Sequence, residues 1–173
     1  PHLDQLLCGA SRPGHFTGVA TVVSKLFGIV QPDVAIFGLK DFQQFLVIKQ
    51  FTNDLCLPVK IIGAPIARAE SGLALSSRNG YLSAMELDQA AHLYHCLIEC
   101  RLALESGQKT FDKLAEHAQC QLESVGFTRD YFKICRQDDL QPATSDDTHL
   151  VIVAAAYLGK ARLIDNIRLT LTP

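Results

Sequence analysis

The sequence predicts an α/β chain in two parts, a βαβ unit with parallel strands followed by a small α+β domain with an antiparallel sheet. Three observations lead there. Two short strand-like runs, Val34-Ala35-Ile36 and Val59-Lys60-Ile61-Ile62, flank one stretch of helical periodicity, which is the βαβ pattern. Downstream, two helical stretches precede three strand-like runs, and Leu158-Gly159-Lys160 between the last two is short enough for a hairpin. Ala64-Pro65 reads as the boundary, dividing residues 1–64 from 65–173.

Residues 1–14 read as a loop-rich lead-in, in which Arg12 and His15 flank the turn Pro13-Gly14. From Thr17 the apolar positions Val19, Val22, Val23, Leu26, Phe27 and Val30 fall at helical spacing, and Pro32 stops the helix. A strand over 33–37 follows, then a helix from Phe42 to Asn53 with Phe45, Leu46, Ile48 and Leu55 as core contacts, then the strand 59–63. Two parallel strands have too little apolar surface to bury both faces, so this unit reads as incomplete. In the second part, Ser83-x-x-Glu86 is a capping box opening one helix that Gly107 closes. A further helix runs from Thr110 to Gly126, and strands are expected over 131–136, 149–157 and 161–171. The polar segment 138–148 is a connecting loop in which Asp146 and Asp147 read as solvated.

Two polar stretches stand out. Phe37-Gly38-Leu39-Lys40-Asp41-Phe42-Gln43-Gln44 follows a buried strand at the sheet's carboxyl edge, where open parallel sheets bind ligands. Gly38 would let a ligand approach the backbone, Lys40 offers an ammonium, and the helix start at Asp41-x-x-Gln44 adds free N–H donors. A plain βα turn with a capping box and a solvated lysine accounts for the same residues, and both readings are open. Ser76-Ser77-Arg78-Asn79 places two hydroxyls, a guanidinium and an amide in succession, a set able to wrap phosphate oxygens. A hairpin turn with a solvated arginine is the simpler account of it.

Composition narrows the classes. At 173 residues and 48% hydrophobic, the chain can bury a core without metal or disulfide staples. Sixteen Lys+Arg against 18 Asp+Glu, with no basic run, give no nucleic-acid or anionic-membrane surface. With no membrane-length apolar segment and no signal-peptide pattern, a cytoplasmic protein is expected. The six cysteines have no framework spacing and are expected to be reduced and structural; His92 and His95 lack a third ligand, so no metal site is expected.

Taken together, Phe37 to Gln44, the run Gly72-Leu73-Ala74-Leu75-Ser76-Ser77-Arg78-Asn79, the run Ala10-Ser11-Arg12-Pro13-Gly14-His15-Phe16 and the terminal Ala161-Arg162-Leu163-Ile164-Asp165-Asn166 resemble the pantothenate synthetase (pantoate-β-alanine ligase) family, essentially from end to end. The resemblance implies that residues 1–64 are the latter part of a Rossmann-like nucleotidyltransferase domain and 65–173 the small α+β domain. It implies a two-step reaction: ATP and (R)-pantoate give pantoyl adenylate and pyrophosphate with Mg²⁺ assisting, then β-alanine attacks the mixed anhydride and releases AMP and pantothenate. Gly38, Leu39, Lys40 and Asp41 match the family's ATP-contacting segment, with Lys40 on phosphate and Asp41 on the ribose hydroxyls. Gln44 matches the glutamine that hydrogen-bonds pantoate, and Ala67 a position that meets adenine through its backbone. Leu75, Ser76, Ser77 and Arg78 match the mobile phosphate-binding loop, similar in role to the signature loop of class I aminoacyl-tRNA synthetases. Lys40 and Arg78 are the catalytic candidates, and a homodimer is implied for the full-length protein.

The sequence departs from the family pattern at Leu39 and at Cys8, each standing where a glutamate is usual. A His-x-Gly-His string that binds ATP in the family does not occur in these 173 residues, so they are expected to be the carboxyl portion of a longer enzyme and inactive by themselves. Two other readings compete: another adenylate-forming nucleotidyltransferase with a different acceptor, or a non-catalytic binding module.

Overall fold

The lead-in is more ordered than its turn-rich composition suggests. A computed structural model describes residues 2–172; Pro1, part of that lead-in, and Pro173 lie outside the described residues. His2–Gln5 form a 3₁₀ turn and Leu7–Ser11 a short helix, α1. Gly9 has no side chain because a Cβ there would collide with the Asp4 carbonyl, so α1 sits directly on the preceding turn.

The next helix, α2 (His15–Val30), begins before Thr17, because Gly14 takes φ 78° and turns the chain into it. Strand β1 (Val34–Gly38), helix α3 (Phe42–Asp54) and strand β2 (Lys60–Ala64) follow, and the strands pair in parallel from Val34↔Lys60 to Gly38↔Ala64. Val23, Phe27 and Ile48 form a buried cluster against Ala35, Phe37 and Ile61 on one face of the sheet. One expected core contact, Leu55, is exposed, and so are Val22, Leu26 and Val30 of the apolar stripe of α2, at 51–65%. A sheet of two strands offers each helix one narrow contact stripe, and Leu55 lies past the last turn of α3, so helical periodicity overstated the buried face. The opposite sheet face, with Val34, Ile36 and Ile62, is likewise exposed.

The chain divides into two compact units, the second beginning at Ala67. The capping box at Ser83 forms as expected: Glu86 N–H donates to Ser83 Oγ, and Ser83 N–H donates to the Glu86 carboxylate at 2.8 Å. The helix it opens is not continuous. It divides into α4 (Ala84–Ala90) and α5 (His92–Glu105), with His92 Nδ1 donating at 3.0 Å to the Gln89 carbonyl and drawing it from the helical ladder. Helix α6 (Phe111–Ser124) leads through Gly126, at φ 96°, into a three-stranded antiparallel sheet of β3 (Thr128–Arg136), β4 (His149–Leu158) and β5 (Ala161–Thr170), ordered β3-β4-β5. The turn from β4 to β5 is the expected hairpin, tightened to two residues because Leu158 pairs with Ala161, with Gly159 at φ 54° in the position that such turns reserve for glycine. Helices α5 and α6 pack on this sheet through Leu93, Leu97, Leu104, Leu122, Phe132 and Ile152. In the loop before β4, Asp147 is not simply solvated: it accepts from Thr144 N–H at 2.7 Å and Thr144 Oγ1 at 2.9 Å, the N–H bond foremost holding its carboxyl below the usual range.

All six cysteines are free thiols, three of them buried. Desolvation pushes Cys96 up to about 11 and Cys100 and Cys135 up to about 12, against an ordinary 9.0. The unfolded chain therefore releases these protons first, and stability is expected to fall as pH rises from about 9 toward about 12. Denaturation midpoints measured across that range check this, and a flat profile would show that the thiols are not held neutral.

Candidate active site

In the first unit, β1 ends at Gly38 and the chain enters a 3₁₀ turn, Leu39–Asp41, before α3. A Cβ built on Gly38 would meet no heavy atom within 4 Å, so the strand end borders open space. Leu39 turns inward and is buried; its side chain lies over Gly63, where an added Cβ would come within 2.5 Å of Leu39 Cδ2. A hydrocarbon suits that position. Lys40 is half-buried and Asp41 exposed.

The capping box expected from Asp41 and Gln44 does not form. Asp41 makes no side-chain capping bond, because the 3₁₀ turn holds it at φ −90°, ψ 60°, outside the extended conformation an N-cap needs. Its carboxylate therefore remains at the surface beside Lys40.

The two glutamines that follow have opposite environments. Gln43 is buried, donates through Nε2 to the carbonyls of Leu3 at 2.6 Å and Leu6 at 2.8 Å, and accepts from Cys8 N–H at 3.1 Å. It ties the lead-in to α3, a role that sequence reading missed. Gln44 is half-buried and remains the candidate for substrate. Gln43→Leu is expected to cost about 2–4 kcal/mol, since three hydrogen bonds go and carbonyls lose their donor. Gln44→Ala should leave the melting temperature nearly unchanged. Paired thermal melts check both, and equal stability losses would refute the difference between the two glutamines. Arg12 and His15 also meet: Arg12 Nη1 donates to His15 Nε2 at 3.2 Å.

In the second unit, residues 67–75 fold back as a small hairpin. Leu75 N–H donates to the Ala67 carbonyl at 2.9 Å and Ala69 N–H to the Leu73 carbonyl at 2.9 Å, with Gly72 at φ 87° in the turn. This brings two of the expected site residues, Ala67 and Leu75, side by side. Beyond it, Ser77–Tyr81 form a 3₁₀ turn rather than a hairpin. Ser76 caps that turn, accepting from Arg78 N–H at 3.2 Å and donating to Asn79 Oδ1 at 3.0 Å, while Asn79 Nδ2 donates to the Ala74 carbonyl at 3.1 Å. The Ser76 hydroxyl and Asn79 amide thus build the loop, while Ser77 and Arg78 are exposed, with the Arg78 guanidinium 5.8 Å from the centre of the Tyr81 ring.

Arg68, at the hairpin's root, was not singled out from sequence. It forms a fork with Asp165 on β5, at 2.6 and 2.9 Å, donates to the Gly72 carbonyl at 3.0 Å, and stacks 3.9 Å over the Tyr94 ring on α5. A signal existed. Asp165 is a charge at an inward position of an alternating strand, Leu163-Ile164-Asp165-Asn166-Ile167, and a buried charge demands a partner. No group of three or more His, Cys, Asp or Glu among the described residues is arranged to hold a metal ion.

The family model described as pantoate-beta-alanine ligase matches residues 1–168, and thus includes both polar turns. The chain belongs to the pantoate-beta-alanine ligase family. It is similar to the pantothenate synthetase of Pseudomonas savastanoi pv. phaseolicola, 55% identical over 170 residues that make up 98% of this chain and 60% of that protein. A Marinomonas pantothenate synthetase is 54% identical over 169 residues, again 98% of this chain and 60% of the relative. Among solved structures, the pantothenate synthetase of Thermus thermophilus superposes with a TM-score of 0.91 at 41% identity, over 96% of this chain and 60% of that one. The Francisella tularensis ligase, solved in complex with beta-gamma ATP and beta-alanine, gives 0.74 at 34% identity, over 97% and 56%. The chain thus spans about 60% of the length of the relatives it matches. Within this ligase family frame, the fold is the expected one, a parallel βαβ element followed by a helix-covered antiparallel sheet.

Proposed function

We propose that these residues form part of an ATP-dependent pantoate-β-alanine ligase, in which the loop at Lys40 and the loop at Arg78 each take part in handling ATP. What supports this reading is the match over residues 1–168, together with a family relative solved with beta-gamma ATP and beta-alanine. In the first step a pantoate carboxylate oxygen attacks the α-phosphorus, the bond to the bridging oxygen breaks, and pyrophosphate leaves. In the second the β-alanine amine attacks the acyl carbon, loses a proton, and AMP leaves with the electron pair of the broken C–O bond.

Each candidate residue has a task in that chemistry. Gly38 and the backbone at Leu39 let the nucleotide lie close to the strand end. Lys40 opposes the charge that builds on the reacting phosphate, Arg78 and Ser77 offer donors to phosphate oxygens, and Ser76 keeps their turn in shape. Asp41 accepts ribose hydroxyls, Ala67 and Leu75 offer backbone groups to the nucleotide, and Gln44 orients pantoate. Mg²⁺ bound with ATP would supply positive charge to the phosphates. The activity is assigned to the enzyme that carries these residues, a homodimer acting in the cytoplasm, where six free thiols stay reduced.

Pyrophosphate release that requires both ATP and (R)-pantoate tests the reading. Release driven by amino acids instead would assign a different adenylate-forming enzyme, and failure of ATP to protect Lys40 or Arg78 from chemical modification would favour a binding module. Arg78→Ala is expected to raise the KM for ATP about 10- to 100-fold, the weight of a charged hydrogen-bonding group, at nearly constant melting temperature. An unaltered KM would remove Arg78 from the site.

A further inference from the structure

We propose that Arg68 is a positioning residue for adenylate formation: anchored by Asp165 and Tyr94, it fixes the root of the loop that carries Ser77 and Arg78. The inference rests on the ligase reading and extends it to residues that touch no substrate.

The geometry is that of a three-sided anchor. Through Nη1 the guanidinium reaches both Asp165 Oδ2 at 2.6 Å and the Gly72 carbonyl at the hairpin tip at 3.0 Å, while Nη2 reaches Asp165 Oδ1 at 2.9 Å. Its flat face lies 3.9 Å over the Tyr94 ring, and Gly72 is pressed against that same ring, where a Cβ would collide with Tyr94 Cδ1. One side chain therefore joins α5, β5 and both ends of the hairpin. Asp165 is itself aimed, since its Oδ1 also accepts from Asn166 N–H at 2.7 Å, and its side chain is 2% exposed.

From this root the order propagates along consecutive bonds. Arg68 pairs with Ala74 as an isolated bridge, Ala74 offers its carbonyl to Asn79, and Asn79 receives the Ser76 hydroxyl that caps the turn presenting Arg78. The exposed arginine at the end has few contacts of its own to set its place. Its aim is inherited from the buried one. Lysine at position 68 would keep the charge but neither the fork nor the stack, so the planar guanidinium is what the arrangement uses.

Removing one partner of a buried pair can unfold the unit, so the decisive variant replaces both, R68M with D165L, which keeps the volume apolar and packed. In the enzyme carrying these residues, single-turnover pyrophosphate release is expected to fall about 10- to 100-fold in this variant, the scale of an ångström misplacement. The second step, measured from supplied adenylate and β-alanine, should change far less, and R68K should recover part of the loss. Hydrogen exchange at the Leu75 and Arg78 amides should quicken at least tenfold while the β4 amides keep wild-type rates. An unchanged release rate, or unchanged exchange at Leu75, overturns the proposal. Absence of pyrophosphate release in the wild type overturns the ligase reading instead, and the exchange measurement then decides the anchor alone.

Discussion

Lys40→Ala is expected to slow adenylate formation by about two to four orders of magnitude, measured as single-turnover pyrophosphate release. The reason is the change in charge between ground and transition states. As the carboxylate oxygen closes on the α-phosphorus, negative charge gathers on the non-bridging oxygens and on the departing pyrophosphate. A fixed ammonium beside the phosphate would meet that charge without waiting for solvent to reorganise. Lys40 is delivered by a short 3₁₀ turn at the end of β1, with Leu39 buried on one side and α3 starting on the other, so its backbone is held from both directions. The loss should fall on the rate of the chemical step more than on ATP affinity, because the charge being opposed grows only in the transition state. A K40A enzyme that forms adenylate at the wild-type rate would place the lysine outside the chemistry.

Asp165→Ala carries the largest expected stability loss, about 3–5 kcal/mol, because it leaves the Arg68 guanidinium without its counter-ion. The arginine side chain is 19% exposed and cannot recover its hydration without leaving the Tyr94 ring and the Gly72 carbonyl. For a unit of this size such a loss should lower the unfolding midpoint by more than about 10 °C. Circular dichroism melts of the single variants against the R68M/D165L pair separate two effects, since the pair should recover most of the stability while its loop stays loosened. Melting of D165A with the wild type would show that the ion pair is no anchor.

Local reading served the elements well and the contacts poorly. The capping box at Ser83, the Gly159 hairpin and the parallel βαβ order all follow from residues within a few positions of one another, and all formed. The same reliance on spacing misled at Asp41, where an Asp three residues before Gln44 has the pattern of a cap but the backbone is already in a 3₁₀ turn. It misled along α2, whose apolar stripe is wider than the surface available to cover it, and at Ala91, where a histidine side chain competes for a helical carbonyl. Of the candidate site, the residue types were legible in both loops. Which hydroxyl builds the turn and which stays exposed was not, because Ser76 and Ser77 are equivalent as letters and differ only in which one the turn engages.

By itself, the sequence determined the order of the main helices and strands, the capping box at Ser83 and the hairpin at Gly159, since these depend on hydrogen bonds and side-chain periods spanning a few residues. Tertiary structure alone decided that Gln43 binds the lead-in, and that Arg68 finds Asp165, 97 positions away. A buried polar group must be paired by whatever the fold brings to it, and that partner is set by packing over the whole unit, which no local pattern encodes.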